Sequence, residues 1–83
     1  MKSNNIKNLT KKAFLGELDR DGSRIRNNAC MWTAEWLKAR GENRLANKFL
    51  KATKEFPAIN EYDGARLALL EIEAAKAAVR EAR

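Results

Sequence analysis

Histidine is absent from all 83 residues of this chain. That absence removes the usual general base near neutral pH and the commonest protein ligand of transition metals. A hydrolytic triad or a zinc site would have to be built from one thiol and scattered carboxylates. Because a nucleophile, its base and an orienting group are all needed, we expect no enzymatic activity, no cofactor and no metal.

Cysteine is nearly absent as well, and long apolar runs are missing. The single cysteine, Cys30, cannot form a disulfide within the chain, and its surroundings favour a small core residue inside a helix. No apolar run approaches the roughly 18 residues that a membrane-spanning helix needs, and no signal peptide is visible. We therefore expect a cytoplasmic protein without a membrane segment.

Proline and glycine are also scarce, with one and four residues respectively. Between these few breakers, apolar residues recur every three or four positions, which is the spacing of amphipathic helices. No alternating stretch long enough for a strand is present. The spacing predicts an all-α protein, a compact bundle of four helices with short loops, forming one domain over residues 6–83 after a disordered N-terminus at 1–5. The predicted helices cover about residues 8–18, 24–40, 43–56 and 60–82, and the last would be a long C-terminal helix of about 34 Å.

The first three predicted helices each have an apolar face that we expect to point into the core. The expected core positions are Leu9, Ala13, Phe14 and Leu18, with Ile6 beside them, in the first helix; Ile25, Ala29, Cys30, Trp32, Trp36 and Leu37 in the second; and Leu45, Phe49, Leu50, Ala52 and Phe56 in the third. Trp32 and Trp36 could instead form a platform on which bases stack, but their place on the apolar stripe favours core packing. Turn chemistry supports the boundaries. Ser23 and Asn60 are candidate N-caps, and Gly41 follows the second helix as a stop residue.

Positive charge is concentrated in the first part of the chain. Residues 1–54 hold 13 Lys or Arg and 5 Asp or Glu, a net charge of +8, whereas residues 55–83 hold 4 and 6, a net charge of −2. Within the third helix, Arg44, Lys48 and Lys51 share one face, and no acid interrupts residues 43–54. The candidate binding residues are Lys38, Arg40, Arg44, Asn47, Lys48, Lys51 and Lys54.

Several functions fit this cationic face. Like charges four residues apart on a helix repel by a few tenths of a kcal/mol, so an uninterrupted row suggests contacts to the DNA or RNA backbone without sequence specificity. A solvated face that keeps the protein in solution is the structural alternative. The rival function is a protein-interaction module that meets an acidic protein surface and modulates or inhibits another macromolecular complex. Small size, a basic balance and no catalytic groups are typical of regulators and accessory proteins from phages and mobile elements.

Two familiar motifs are excluded, because the residues that they require at fixed positions are absent from this sequence. A DNA-reading helix-turn-helix centred on Gly41 would need a small residue at position 37 and a buried aliphatic at position 47, where the chain has Leu37 and Asn47. A calcium loop that starts at Asp19 would need an acid at the position of Cys30, and one that starts at Glu17 would need it where Asn28 stands. We therefore read residues 19–23 as a turn.

The alanine-rich C-terminal helix leaves two interpretations open. Its end packs against another helix of the same chain, or it pairs with a second copy or a target protein. In the second case Leu70 and Val79 would be the contact residues, either of a homodimer or of a complex with the target protein.

Overall fold

A computed structural model describes residues 7–20, 29–56 and 64–83 of the chain. These ranges contain four helices and no strand: α1 (Lys11–Arg20), α2 (Ala29–Ala39), α3 (Asn43–Lys54) and α4 (Gly64–Glu81). The prediction of an all-α fold with four helices is therefore confirmed. The expected disordered residues 1–5, the caps Ser23 and Asn60, and the apolar Ile6 and Ile25 lie outside the described residues.

Helix α4 packs against the other three helices. The start of α1 meets the end of α2, because the Trp36 indole Nε1–H donates a hydrogen bond to the Leu9 carbonyl over 2.8 Å. The same end of the domain holds the C-terminus, where the Lys11 ammonium donates to the Arg80 carbonyl over 3.1 Å. None of the four described helices is both long and apolar enough to cross a membrane.

Helix α2 ends at a tight turn around Gly41 that leads into α3. Gly41 has a φ of +76°, its N–H bonds to the Lys38 carbonyl over 3.0 Å, and the Glu42 N–H bonds to the Leu37 carbonyl over 2.9 Å. This pair of bonds is a Schellman motif, in which a left-handed residue satisfies the last carbonyls of the helix. The role predicted for Gly41 is confirmed.

The core confirms most of the expected apolar faces. Trp36 is fully buried and Trp32 nearly so, which leaves no ring face open for stacking bases, and the Phe14 and Trp36 ring centroids lie 5.5 Å apart. Cys30 is partly buried against this core. The core cluster consists of Phe14, Leu18, Ala29, Trp32, Trp36, Leu37, Ala46, Phe49, Ile72, Ala75, Ala78, Val79 and Ala82.

The inward face of α3 differs from the predicted one. Ala52 is exposed, whereas Ala46, which was not expected in the core, is fully buried. The buried face is centred on Ala46, Phe49 and Thr53, about 60° around the axis from the predicted stripe at 100° per residue. In α1, Ala13 was likewise predicted to face inward but is exposed.

Helix α4 as described, Gly64–Glu81, has 18 residues and spans about 27 Å. The predicted start near residue 60 lies outside the described residues. The alanine-rich half of α4 packs within the chain, since Ala75, Ala78, Val79 and Ala82 are buried. The first interpretation, packing within the chain, therefore holds for Val79, while Leu70 remains 37% exposed.

Candidate nucleic-acid interface

The outer face of α3 carries most of the residues that the sequence proposed for binding. Arg44, Lys48, Lys51 and Lys54, here called the basic row, are all exposed, as is Asn47 beside them. They lie on the side of the helix away from Ala46 and Phe49, which face the core. A single rigid element thus positions four cations and one neutral donor.

The helix macrodipole of α3 stabilises a cation at its C-terminal end and destabilises one at its N-terminal end. Lys51 and Lys54 lie in its last turn, where the helix macrodipole favours cations. Arg44 lies in the first turn, which contains no acid, and the N-cap residue Glu42 makes no side-chain capping hydrogen bond. A cation at a helix N-terminus is unfavourable by a few tenths of a kcal/mol or more. Helix stability therefore accounts for Lys51 and Lys54 but not for Arg44.

The acids within the described residues hardly neutralise the basic row. The Lys48 ammonium lies 3.9 Å from a Glu81 carboxylate oxygen, with both side chains more than half exposed, and such a pair contributes about 0–1 kcal/mol. Among the residues that the structure describes, Arg44, Lys51 and Lys54 have no ion-pair partner. The Glu42 carboxylate accepts a hydrogen bond from the Arg83 backbone N–H over 3.0 Å, so that oxygen is directed at the chain terminus.

Other acids are engaged by Lys76. Its side chain is only 14% exposed, it forms an ion pair with Asp19, and it lies 3.6 Å from a Glu73 oxygen. A hydrogen bond and the charge of Lys76 lower the pKa of Asp19, and the same contact with Asp19 raises the pKa of Lys76. This pairing ties α1 to α4.

Arg40 is held by its own chain. Its guanidinium donates to the Lys7 carbonyl over 3.2 Å and to the Leu9 carbonyl, and it stacks over the Trp36 ring at 3.9 Å from the centroid. These contacts fasten the segment before α1 to the end of α2, so Arg40 does not join the basic row. Lys38 is exposed in the last turn of α2, where the macrodipole already favours a cation.

An apolar groove runs between α3 and α4 beside the basic row. It encloses about 190 Å³ and is lined by Leu45, Phe49, Ala52, Ala74, Ala77 and Ala78, with Lys48 and Glu81 as its charged members. We call it the α3–α4 groove. Sequence reasoning missed it, although the small residues that shape it, such as Ala52 and Ala77, were visible.

The Cys30 thiol is partly buried against the core. Burial raises the pKa of the Cys30 thiol, and the nearby Glu71 carboxylate raises it further, although a hydrogen bond with Thr53 opposes this. A raised pKa keeps the sulfur protonated and weakly nucleophilic at neutral pH. Within residues 7–20, 29–56 and 64–83, no group of three or more acids or cysteines is arranged to hold a metal ion.

Comparison with known proteins adds no assignment to this geometry. No protein-family profile matches the chain, and no curated protein and no solved structure matches it either.

Proposed function

We propose that this chain is a cytoplasmic, non-enzymatic accessory protein that binds the phosphate backbone of a nucleic acid through the basic row. The observation that carries the proposal is a set of four exposed cations on one helix, three of which have no ion-pair partner among the described residues. Arg44 strengthens it, because this cation opposes the macrodipole of its own helix.

The geometry supports backbone contacts rather than base reading. From Arg44 to Lys54 the row extends about 15 Å along the helix, enough to follow several phosphates of one strand. Arg44 can engage a phosphate through two N–H donors, and Asn47 supplies a neutral donor. Binding would draw its affinity from counterion release and would be strongly salt-dependent.

The test compares two triple variants of equal charge. Arg44→Gln, Lys51→Gln and Lys54→Gln remove three members of the row and leave the Lys48–Glu81 pair in place. The control variant changes three other exposed cations, Lys7, Lys12 and Arg80, to Gln. Both variants lower the net charge from +6 by three units.

The readout is the salt dependence of binding to duplex and single-stranded DNA and to RNA, with circular dichroism to verify helicity. Four phosphate contacts predict a log–log slope of about −3.6 on duplex DNA, and one remaining contact predicts about −0.9. We expect the row variant to show the shallow slope and the control to keep the steep one. Equal losses in the two variants would mean that binding follows net charge and that the basic row is not the site.

The alternative function is a protein-interaction module that modulates or inhibits another macromolecular complex. The α3–α4 groove favours it, because an apolar depression beside cations fits a protein better than it fits a phosphate chain. In the titration above, a folded parent protein that retains no nucleic acid at low salt would shift the assignment to this function.

A further inference from the structure

The α3–α4 groove has the composition of a helix-binding surface. Most of the side chains that line it are apolar. On the α4 side, the apolar surface continues to Leu70, one turn before Ala74; Leu70 is 37% exposed. Leu70, Ala74 and Ala77 follow the spacing i, i+4 and i+7, so they lie on one side of α4. An apolar cavity of about 150 Å³ accommodates a benzene ring, so the 190 Å³ of this groove is large enough for one bulky side chain.

Charge defines the flank of the groove. Lys48 stands on the α3 side of the groove, and Arg44 and Lys51 lie one turn to either side of it on the same helix face. Glu81 is a lining residue at the C-terminal end of α4, where its carboxylate lies 3.9 Å from the Lys48 ammonium. A ligand that fills the groove would therefore lie beside a largely positive edge.

We propose that the α3–α4 groove is a docking site for a partner protein that presents an acidic amphipathic helix. The apolar face of that helix would place side chains against Leu45, Phe49 and Ala77, in the helix-in-groove mode of recognition. Its acidic flank would lie along Arg44, Lys48 and Lys51. This inference goes beyond the proposed nucleic-acid function, because it assigns a second site with a ligand of different chemistry.

A second copy of the chain fits this groove poorly. Each copy carries a net charge of +6, and two such copies that meet beside the basic row would bring like charges together, which disfavours association. Burial of Val79 also removes part of the apolar face that a dimer through α4 would have used. Charge complementarity therefore points to an acidic partner.

The two ligands would share Arg44, Lys48 and Lys51, which belong to the basic row and flank the groove; of these, Lys48 also lines the groove itself. A helix seated in the groove would cover the edge along which a phosphate backbone lies. We therefore expect the acidic helix and nucleic acid to compete for the protein.

The experiment uses a designed fluorescent peptide and two variants of the full chain. The peptide is a helix of about 16 residues, roughly 24 Å long, with Leu at i, i+4, i+7 and i+11 and Glu on the flanks; a comparison peptide has Lys in place of each Glu. Ala77→Lys places a charge in the groove at an exposed helical position. Ala13→Lys, the matched control, makes the same change at an exposed position on α1. Both substitutions raise the net charge equally, so a general attraction for the acidic peptide would increase in both.

We expect the acidic peptide to bind the parent protein at least tenfold more tightly than it binds the Ala77→Lys variant. The Ala13→Lys variant should bind like the parent, and the Lys-flanked peptide should bind at least tenfold more weakly. Binding of the acidic peptide weaker than about 1 mM, or equal affinity for both lysine variants, would overturn the proposal. So would sedimentation showing a concentration-dependent dimer that Ala77→Lys abolishes. Ala77 lies outside the basic row, so the Ala77→Lys variant tests only the groove. The nucleic-acid proposal is tested separately by the glutamine variants of the basic row.

Discussion

Thr33 occupies a costly position for a hydroxyl group. Its side chain is fully buried in α2, and its Oγ1 has no hydrogen-bond partner among the described residues. A buried polar group without a partner costs about 1–3 kcal/mol of desolvation. Thr33→Val replaces that hydroxyl with a methyl group of similar size and leaves the branched shape unchanged. We therefore expect the substitution to raise the free energy of unfolding by about 1 kcal/mol.

Thr53 provides the opposite case on a neighbouring helix. Its half-buried hydroxyl donates to the Leu50 carbonyl over 2.9 Å, and a bond of this kind contributes about 0.5–1.5 kcal/mol. Thr53→Val should consequently lower the free energy of unfolding by about 1 kcal/mol. The same chemical change thus has opposite signs at the two sites.

Urea and thermal unfolding followed by circular dichroism measure both effects. For a domain of this size, 1 kcal/mol corresponds to a change in Tm of about 4–8 °C, so the two variants should differ by about 8–16 °C. A Thr33→Val variant as stable as the parent, or less stable, would refute the reasoning, since it would mean that the Thr33 hydroxyl makes a hydrogen bond.

Three further perturbations test the fold by stability measurements. Gly41→Ala forces a φ of +76° on alanine and should lower the free energy of unfolding by about 1–2 kcal/mol. Gly16→Ala adds a methyl group within a helix with no atom within 4 Å and should raise the free energy of unfolding by about 0.5–1 kcal/mol. If urea unfolding shows that both substitutions change the stability in the same direction, the described turn is contradicted. Because Lys76 lowers the pKa of Asp19, this carboxylate contributes stability above its ordinary pKa of 3.8 that is lost as the pH falls through the lowered value. Asp19→Asn should therefore flatten the acid limb of the stability profile, and an unchanged limb would show that the ion pair is not formed in solution.

The apolar spacing was sufficient to predict the helices and most of the core. Large residues such as Phe14, Trp36 and Phe49 gain so much from burial that their faces are fixed. Alanine gains little, which is why Ala52 was assigned to the wrong side of α3 and Ala46 was not named among the core positions. Thr33 lies four residues after the buried Ala29, so both residues are on the same face of α2. Its helical spacing therefore indicated burial, but a polar residue such as threonine is not counted in a pattern of apolar residues.

The candidate site was predictable in part. Exposure of the basic row follows from the amphipathic pattern of α3, because the cations lie away from the core face. The contacts of Arg40 could not be predicted in this way. Its guanidinium donates to the Lys7 and Leu9 carbonyls, which only the tertiary structure brings close to it. The α3–α4 groove also depends on how closely two helices approach, which small side chains permit but do not determine.

Two of the described acids, Asp19 and Glu73, lie where they cannot neutralise the basic row. Lys76 follows Ala74 by two residues, which places it about 200° around α4, so the Lys76 cluster with Asp19 and Glu73 faces away from the groove and α3. Those carboxylates cannot relieve the repulsion among the cations of α3, which costs a few tenths of a kcal/mol for each close pair. A ligand that supplies the missing negative charge would remove that repulsion and bind only the folded arrangement. Binding at the basic row or along its groove edge should therefore raise Tm with ligand concentration, and added salt should weaken that rise.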